Sequence, residues 1–456
     1  MDPIKKVTGP CVILAGAGTG KTRLMVEKVK NLIEKKIYPA EKIVCITFSN
    51  EAANNLSSRI RSAIPDLQSE PIIKTFHSFS SFLLKENLPK EKQNFQILSP
   101  DEAKILLHTN LRVTPANCHR YIDTIGKAKD LGISINSLKE YLSKKPHSSL
   151  LEKLKENFET LQNELLKEQD KTKKKQLSDE LIKIKETLDL ARFVPIFDAY
   201  EKIKFQRKLL DYSDLNNNAV ELLESNPDIA NKFNYIIVDE FQDTNRIQLK
   251  LLEFLAPHKN ITVVGDMNQY IYRFRGAYEA NIERFKKVFG VTKSDIFTLE
   301  KSYRSTNKIL KIAHQLISNN YSPEDECLFV QNAFNNTGEN IEIYELKNGK
   351  EEARKVVEII KETNAKNIPL EEICVMARTH QQLAVIRKAL ANAGIEFHSV
   401  GSESLLKQKS IKKVISYLTI LRNLTEKNNK GWSAWWEFCL LYTSDAADDL
   451  LCVDLG

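Results

Sequence analysis

A glycine-rich turn set between an apolar run and a helical pattern constrains this chain more than any other feature. Cys11-Val12-Ile13-Leu14 reads as a buried strand, and Ala15-Gly16-Ala17-Gly18-Thr19-Gly20-Lys21-Thr22 follows it directly, with a helix beginning near Arg23. Glycines let the backbone turn tightly enough for successive N–H groups to converge on phosphate oxygens. The helix N-terminus beyond them adds the positive end of its dipole. In that setting Lys21 reaches the β- and γ-phosphates of a nucleotide, and the Thr22 hydroxyl is a Mg²⁺ ligand. Ala15 stands where the strict form of the motif has its first glycine.

Such a loop belongs to a parallel α/β sheet. Ile43–Ile46 and Ile72–Phe76 alternate with helical patterns over the first 85 residues, and two more apolar runs, Tyr235–Val238 and Ile261–Val264, lie far downstream. Strands alternating with helices specify an α/β fold. The gap between the two groups predicts a helical domain inserted at about 86–210, so that the first domain is discontinuous, 1–85 with 211–295. Within the insert, Leu151, Leu154, Phe158, Leu161 and Leu165 step by three and four, as do Leu177, Leu181, Ile184 and Leu188. Lys171-Thr172-Lys173-Lys174-Lys175 falls between the series as the candidate tip of a hairpin. Its lysines either touch phosphates or form a solvated charge run. A second α/β region is expected over 296–400, with strands at 340–344 and 373–376 and helices at Glu351–Thr363 and Gln381–Ala393.

Phosphate chemistry also needs carboxylates on a neighbouring strand. The run Tyr235–Val238 ends in Asp239-Glu240, which places Asp239 to hold Mg²⁺ and Glu240 to orient or deprotonate an attacking water.

Composition sets the outer bounds. With 42% apolar and 28% charged residues, the 456-residue chain is of ordinary globular type, long enough for about three domains. No run approaches the ~18 apolar residues of a membrane span, and MDPIKKVTGP is not a signal peptide. Seven scattered cysteines without a CxxC pair give neither a disulfide framework nor a zinc knuckle. The expectation is a soluble cytoplasmic protein with no membrane partner. A net charge of +7 suits a polyanionic partner without identifying one.

Val238-Asp239-Glu240-Phe241-Gln242-Asp243-Thr244-Asn245 resembles a segment of the UvrD/Rep-like superfamily 1 DNA helicases, and further segments match that family in order across about residues 8–438. Ile46–Ala53 is similar to its TFTNKAA, with Glu51 at the lysine, and Thr75-Phe76-His77-Ser78 to its TFHS. Val264–Ala277 is similar to GDxxQSIYxFRGA, with Tyr270 at the serine, and Leu299–Thr306 to LxxNYRST. The resemblance implies two RecA-like P-loop domains with the helical insertion in the first. It also implies an ATP-dependent, Mg²⁺-requiring 3′→5′ translocase and helicase acting on single-stranded DNA and duplex junctions. By the same resemblance Lys21, Glu240, Gln269 and Arg304 are catalytic. Gln269 senses the γ-phosphate, and Arg304 reaches the transferring phosphoryl group as an arginine finger does. Ala15 through Thr22 hold the phosphates, Thr22 and Asp239 hold Mg²⁺, and Arg23 and Tyr303 flank the adenine. Phe48, Phe76, Tyr272 and Phe274 lie along the single strand, where aromatic faces stack bases without reading sequence. Thr47, Asn50 and His77 contact its backbone or base edges. On the residues alone, Phe48 and Phe76 also read as core aromatics, and His77 as a ring satisfying a backbone carbonyl.

The family's closing motifs, a TxHxxKG-like segment and a second arginine-bearing one, have no match, so the second RecA-like domain is expected to be incomplete. Residues 401–438 correspond to the start of a helical accessory insertion. Cys439–Gly456 resembles the conceptual translation of a sequencing adapter and is expected to be an artefactual tail. The chain as written is then expected to unwind nothing. Two rival readings stand beside this one: a non-catalytic nucleotide- and DNA-binding remnant, and the helicase part of a helicase–nuclease.

Overall fold

The computed structural model describes residues 2–143, 171–269, 281–319 and 338–399, with isolated positions at 160, 162, 332–334, 411, 414, 415, 417, 418, 421 and 422. The chain divides into two compact units, Met1–Glu339 and Asn340–Gly456.

The first unit is built on strands β1 (Pro10–Ala15), β2 (Ile43–Thr47), β3 (Ile72–Thr75), β4 (Gln96–Ile97), β5 (Leu209–Leu210), β6 (Tyr235–Val238), β7 (Ile261–Gly265) and β8 (Ile296–Leu299). Six of them form a parallel sheet in the order β3-β2-β6-β7-β1-β8, while β4 and β5 pair by themselves. Helices cover both faces, which is why β2 and β6 are buried throughout rather than alternating. Successive side chains still point to opposite sides. Val12, Val44, Ile236 and Val238 meet the helices Phe76–Asn87, Tyr212–Ser225 and Arg246–Leu255. Cys11, Ile13, Cys45 and Ile237 meet Lys21–Glu34 and Asn50–Ala63. In an open parallel sheet, ligands bind beyond the carboxyl ends of the strands. Those ends carry the loop after β1, Asp239-Glu240 after β6 and Asp266 after β7.

Strand β8 pairs along β1, with Val12 opposite Ile296 and Ala15 opposite Leu299. The first sheet therefore runs past residue 295, where a boundary was expected, and the compact division lies at 339/340.

The insertion packs the helices Pro100–Leu111, Pro115–Asp130, Ile135–Ser143 and Lys171–Gln206 around Leu106, Leu107, Cys118, Phe193, Phe197 and Tyr200. Ser99 and Glu102 close a reciprocal cap at the first of these helices, with Pro100 at its first position. Lys171–Lys175 form the first residues of the helix Lys171–Gln206, and Leu188 is buried. The Leu151–Leu165 series lies outside the described residues.

Charged groups join the insertion to the sheet unit. Lys129 Nζ lies 2.6 Å from Glu201, 2.7 Å from Asp211 and 2.6 Å from Asp214. Lys204 Nζ meets the same three carboxylates, with Asp211 at 2.8 Å and Glu201 at 3.0 Å. The two lysines are 6% and 2% exposed. Burial alone would raise the Asp211 carboxyl, but Lys129 and Lys204 hold it well below the usual carboxylate range. The same pairing, Asp211 foremost, keeps Lys129 above its ordinary value against the pull of burial.

In the second unit, the helices Gly349–Ala365 and His380–Asn392 pack through Ala353, Ile360, Ile386 and Leu390. The strands expected at 340–344 and 373–376 form no ladder among the described residues. Ile343 is 91% and Met376 86% exposed, so these faces lack the neighbours that turn β propensity into a sheet. No described helix is long and apolar enough to cross a membrane.

Candidate functional site

The chain leaves β1 at Ala15 and turns through Gly16–Gly20 into the helix Lys21–Glu34. Thr19 Oγ1 donates to the Gly16 carbonyl at 2.8 Å and braces the turn. Gly18 and Gly20 have φ of +74° and +89°, the region where an L side chain is strained. Gly18 is needed for a second reason. The Tyr303 N–H donates to its carbonyl at 2.8 Å, and Ser302 Oγ donates to the Ala17 carbonyl at 3.2 Å. A Cβ at Gly18 would run into Arg304 Cβ and Ser302 Oγ. The segment carrying Tyr303 and Arg304 thus rests directly on the loop. Gly18→Ala should cost about 1–2 kcal/mol from its backbone angle alone, with the clash in addition. The measurement is the urea midpoint; an unchanged midpoint would mean that neither the backbone angle at Gly18 nor the contact with Arg304 constrains the loop.

At the end of β6 the Asp239 N–H bonds to the Ile46 carbonyl at 2.8 Å, and Glu240 follows with φ +47°. A non-glycine residue in that region is uncommon and persists where its surroundings over-determine it. Here they do. Glu240 Oε2 accepts from Lys21 Nζ at 2.9 Å and from Gln242 Nε2 at 2.8 Å. Gln242 Oε1 in turn accepts the Asp266 N–H at 3.0 Å, and Gln269 Nε2 donates to Asp266 Oδ2 at 2.9 Å. Burial, then the charge of Glu240, pushes the Asp239 carboxyl up to about 6, with Lys21 pulling the other way. Burial also raises Asp266.

This arrangement fits a magnesium nucleotide. A carboxylate whose ionised form is disfavoured by burial and by a like charge gains from a cation. The turn offers backbone N–H groups and the Lys21 ammonium to phosphate oxygens. Asp239 and Thr22 are the residues that could hold the metal.

The sheet brings Ala15 through Thr22, Asp239, Glu240 and Gln269 to one edge, and β8 leads the chain back so that Tyr303 and Arg304 lie against Gly18. Arg23 is exposed on the first turn of its helix. Tyr303 is exposed, with its ring 5.1 Å from that of Phe334.

Of the residues expected along DNA, Phe48 is 40% exposed just past β2, and Asn50 is exposed at the start of its helix. His77 is half-buried, edge-on to Tyr212 at 5.9 Å, and burial lowers its pKa. Two expectations need correction. Phe76 is 7% exposed: as the first residue of its helix it points inward with Phe79 and Leu83, three and seven positions on, into the sheet core. Thr47 is buried, and its hydroxyl donates to the Ser49 carbonyl at 3.1 Å. Tyr272 and Phe274 lie outside the described residues. Sequence reasoning passes over Gln242, Asp266 and Ser302. The signal for the first two is a polar residue close behind an apolar strand, with no solvent-facing pattern to explain it.

Residues 1–290 match the UvrD/REP helicase N-terminal domain, and residues 297–432 match the UvrD-like helicase C-terminal domain. The ATP-dependent DNA helicase PcrA of Staphylococcus aureus is 30% identical over 430 residues, 92% of this chain and 53% of that protein. PcrA of Staphylococcus epidermidis is 29% identical over 429 residues, with the same coverage of 92% and 53%. The chain spans about half the length of the curated relatives it matches. Its N-terminal match alone takes in the whole parallel sheet up to β7 with the loop and carboxylates at its edge, and a second match takes up the chain where β8 begins: the chain belongs to the UvrD/REP helicase family.

Proposed function

We propose that this chain is the motor part of an ATP-dependent DNA helicase that moves 3′→5′ along a single strand towards duplex junctions in the cytoplasm. The observation that carries the proposal is the Lys21–Glu240 contact of 2.9 Å at the mouth of the loop. It joins the group suited to bind phosphate to the group suited to activate water. Phosphates of an incoming ATP compete for the Lys21 ammonium, which releases Glu240 from one of its two donors. Glu240 then orients the attacking water, Gln269 reports the γ-phosphate, and Arg304 brings positive charge from above Gly18. Thr22 and Asp239 would hold Mg²⁺, which supplies positive charge to the phosphate oxygens when bound. Arg23 and Tyr303 flank the base. Phe48, Asn50 and His77, with Tyr272 and Phe274 by resemblance, face the strand.

The test uses the full chain. ATP hydrolysis should rise on addition of a single-stranded oligonucleotide, and movement should displace streptavidin from the 5′ end of a strand sooner than from its 3′ end, while tailed duplexes stay closed. Glu240→Gln should keep nucleotide binding while turnover falls by about 10²–10⁴-fold, the usual worth of a positioned base. Turnover at the unaltered rate would remove Glu240 from the chemistry, and hydrolysis indifferent to single strands would remove the motor reading.

A further inference from the structure

We propose that Gln242 is a positioning residue that couples Glu240 to the γ-phosphate sensor Gln269. The inference rests on the function just proposed and assigns a role to a residue that function does not use.

Gln242 lies in the turn Phe241–Asp243 and is 6% exposed, so its amide has to be satisfied by the protein. Both ends are. Nε2 donates to Glu240 Oε2 at 2.8 Å, and Oε1 accepts the Asp266 N–H at 3.0 Å. The orientation is fixed by chemistry, because a carboxylate only accepts and a backbone N–H only donates; a flipped amide would lose both bonds. Asp266, itself 4% exposed, continues the chain: Oδ2 accepts from Gln269 Nε2 at 2.9 Å and Oδ1 from the Asn268 N–H at 3.0 Å. An unbroken path therefore runs Glu240–Gln242–Asp266–Gln269, from the end of β6 to the turn after β7.

The path matters once nucleotide arrives. Lys21 and Gln242 both donate to Glu240 Oε2. When phosphate draws Lys21 away, Gln242 is the donor that still holds the carboxylate. Gln242 cannot follow a shift of Glu240 without moving against the Asp266 N–H, and Asp266 carries Gln269 with it. Conversely, a Gln269 that turns towards a γ-phosphate gives up its bond to Asp266 and alters the far end of the path. Gln242 and Asp266, the two buried middle members, carry a shift between the more exposed ends at Glu240 and Gln269.

The experiment reads γ-phosphate discrimination, which requires no turnover. Affinities for ATPγS and ADP, each with Mg²⁺, are measured by competition against a fluorescent nucleotide in the full chain and in Gln242→Leu, Gln242→Glu and Gln269→Leu. Gln242→Leu keeps volume and removes both bonds. Gln242→Glu keeps the acceptor towards Asp266 and loses the donor towards Glu240, so it serves if the leucine variant folds poorly. Each Gln242 variant should lower the ATPγS-to-ADP affinity ratio by about tenfold, the worth of a hydrogen bond to a charged group. The double variant Gln242→Glu/Gln269→Leu should fall no further than the worse single one, because coupled sites are not additive. A merely structural Gln242 would shift both affinities together. Losses that add, a ratio that ignores Gln242, or an unaltered chain that binds both analogues equally would overturn the inference and leave nucleotide binding standing. Failure of the unaltered chain to bind either analogue would overturn it together with the proposed function.

Discussion

Lys21→Ala should lower DNA-stimulated ATP turnover by about 10²–10³-fold, as loss of a preorganised charge at a phosphoryl centre does, while single-strand affinity stays where it was. Two effects act together. The ammonium that meets the phosphates is gone, and so is the counter-charge to two neighbouring carboxylates. Lys21 is the group that pulls Asp239 down against burial and against Glu240. Without it burial and the Glu240 charge push the Asp239 carboxyl further up, which weakens any cation it holds. Phe48 stands in the turn after β2, and Asn50 and His77 lie on the helices that follow β2 and β3, so the proposed DNA face keeps its shape. Phosphate release at saturating oligonucleotide, with anisotropy of the labelled strand in parallel, separates the two properties. A parallel loss of strand affinity would show that the two faces are not separate.

Lys204→Met should destabilise the first unit by about 3–5 kcal/mol, the cost of leaving a buried charge without its partner. Lys204 is 2% exposed among Asp211, Asp214 and Glu201, and one ammonium, that of Lys129, would remain for three carboxylates. Methionine keeps most of the lysine's apolar length, so the loss is chiefly electrostatic. The sign with pH follows from Asp211. Its folded pKa is depressed, so the stability it contributes is present above the ordinary carboxylate range and is lost as pH falls through the folded value. Removing Lys204 weakens that depression, and the acid limb of the stability curve should flatten. Urea denaturation between neutral and acid pH measures both. A small change at neutral pH, or an unaltered acid limb, would mean that the network contributes little beyond packing.

What was legible in the sequence was whatever a short stretch dictates by itself. The loop Ala15–Thr22, the strand ending in Asp239-Glu240 and the apolar runs of β1, β2, β6 and β7 each carry a local signature, in backbone freedom or in burial on both faces. What failed depends on neighbours. Ile341, Ile343, Ile373 and Val375 have strand propensity, but ladder partners are a property of the surroundings, and none occurs among the described residues. Ile296–Leu299 falls where the second family match begins, yet its strand pairs along β1 in the first sheet, a partner no local signature announces. Phe76 and Phe48 follow similar strands, yet one starts a helix turned inward and the other stands in an open turn. Gln242 was hidden for a different reason: its meaning lies in bridging two strand ends, and nothing in its own neighbours along the chain reveals that.

The sheet order sets a timetable for synthesis. β1, which carries the phosphate loop, has β7 and β8 as its neighbours, and neither exists until residues 261–299 have been made. β2 can meet β3 early, but its other edge waits for β6, beyond the whole helical insertion. At roughly 5–20 residues per second, β1 spends about 10–50 s outside the ribosome with both edges bare. The insertion has its own core and can fold during that interval, drawing the two halves of the sheet together before they pair. A ribosome that stalls within the insertion therefore releases an apolar strand with two sticky edges rather than a smaller working site. Nascent-chain protection by a strand-edge-binding chaperone should matter most while that stretch is being translated.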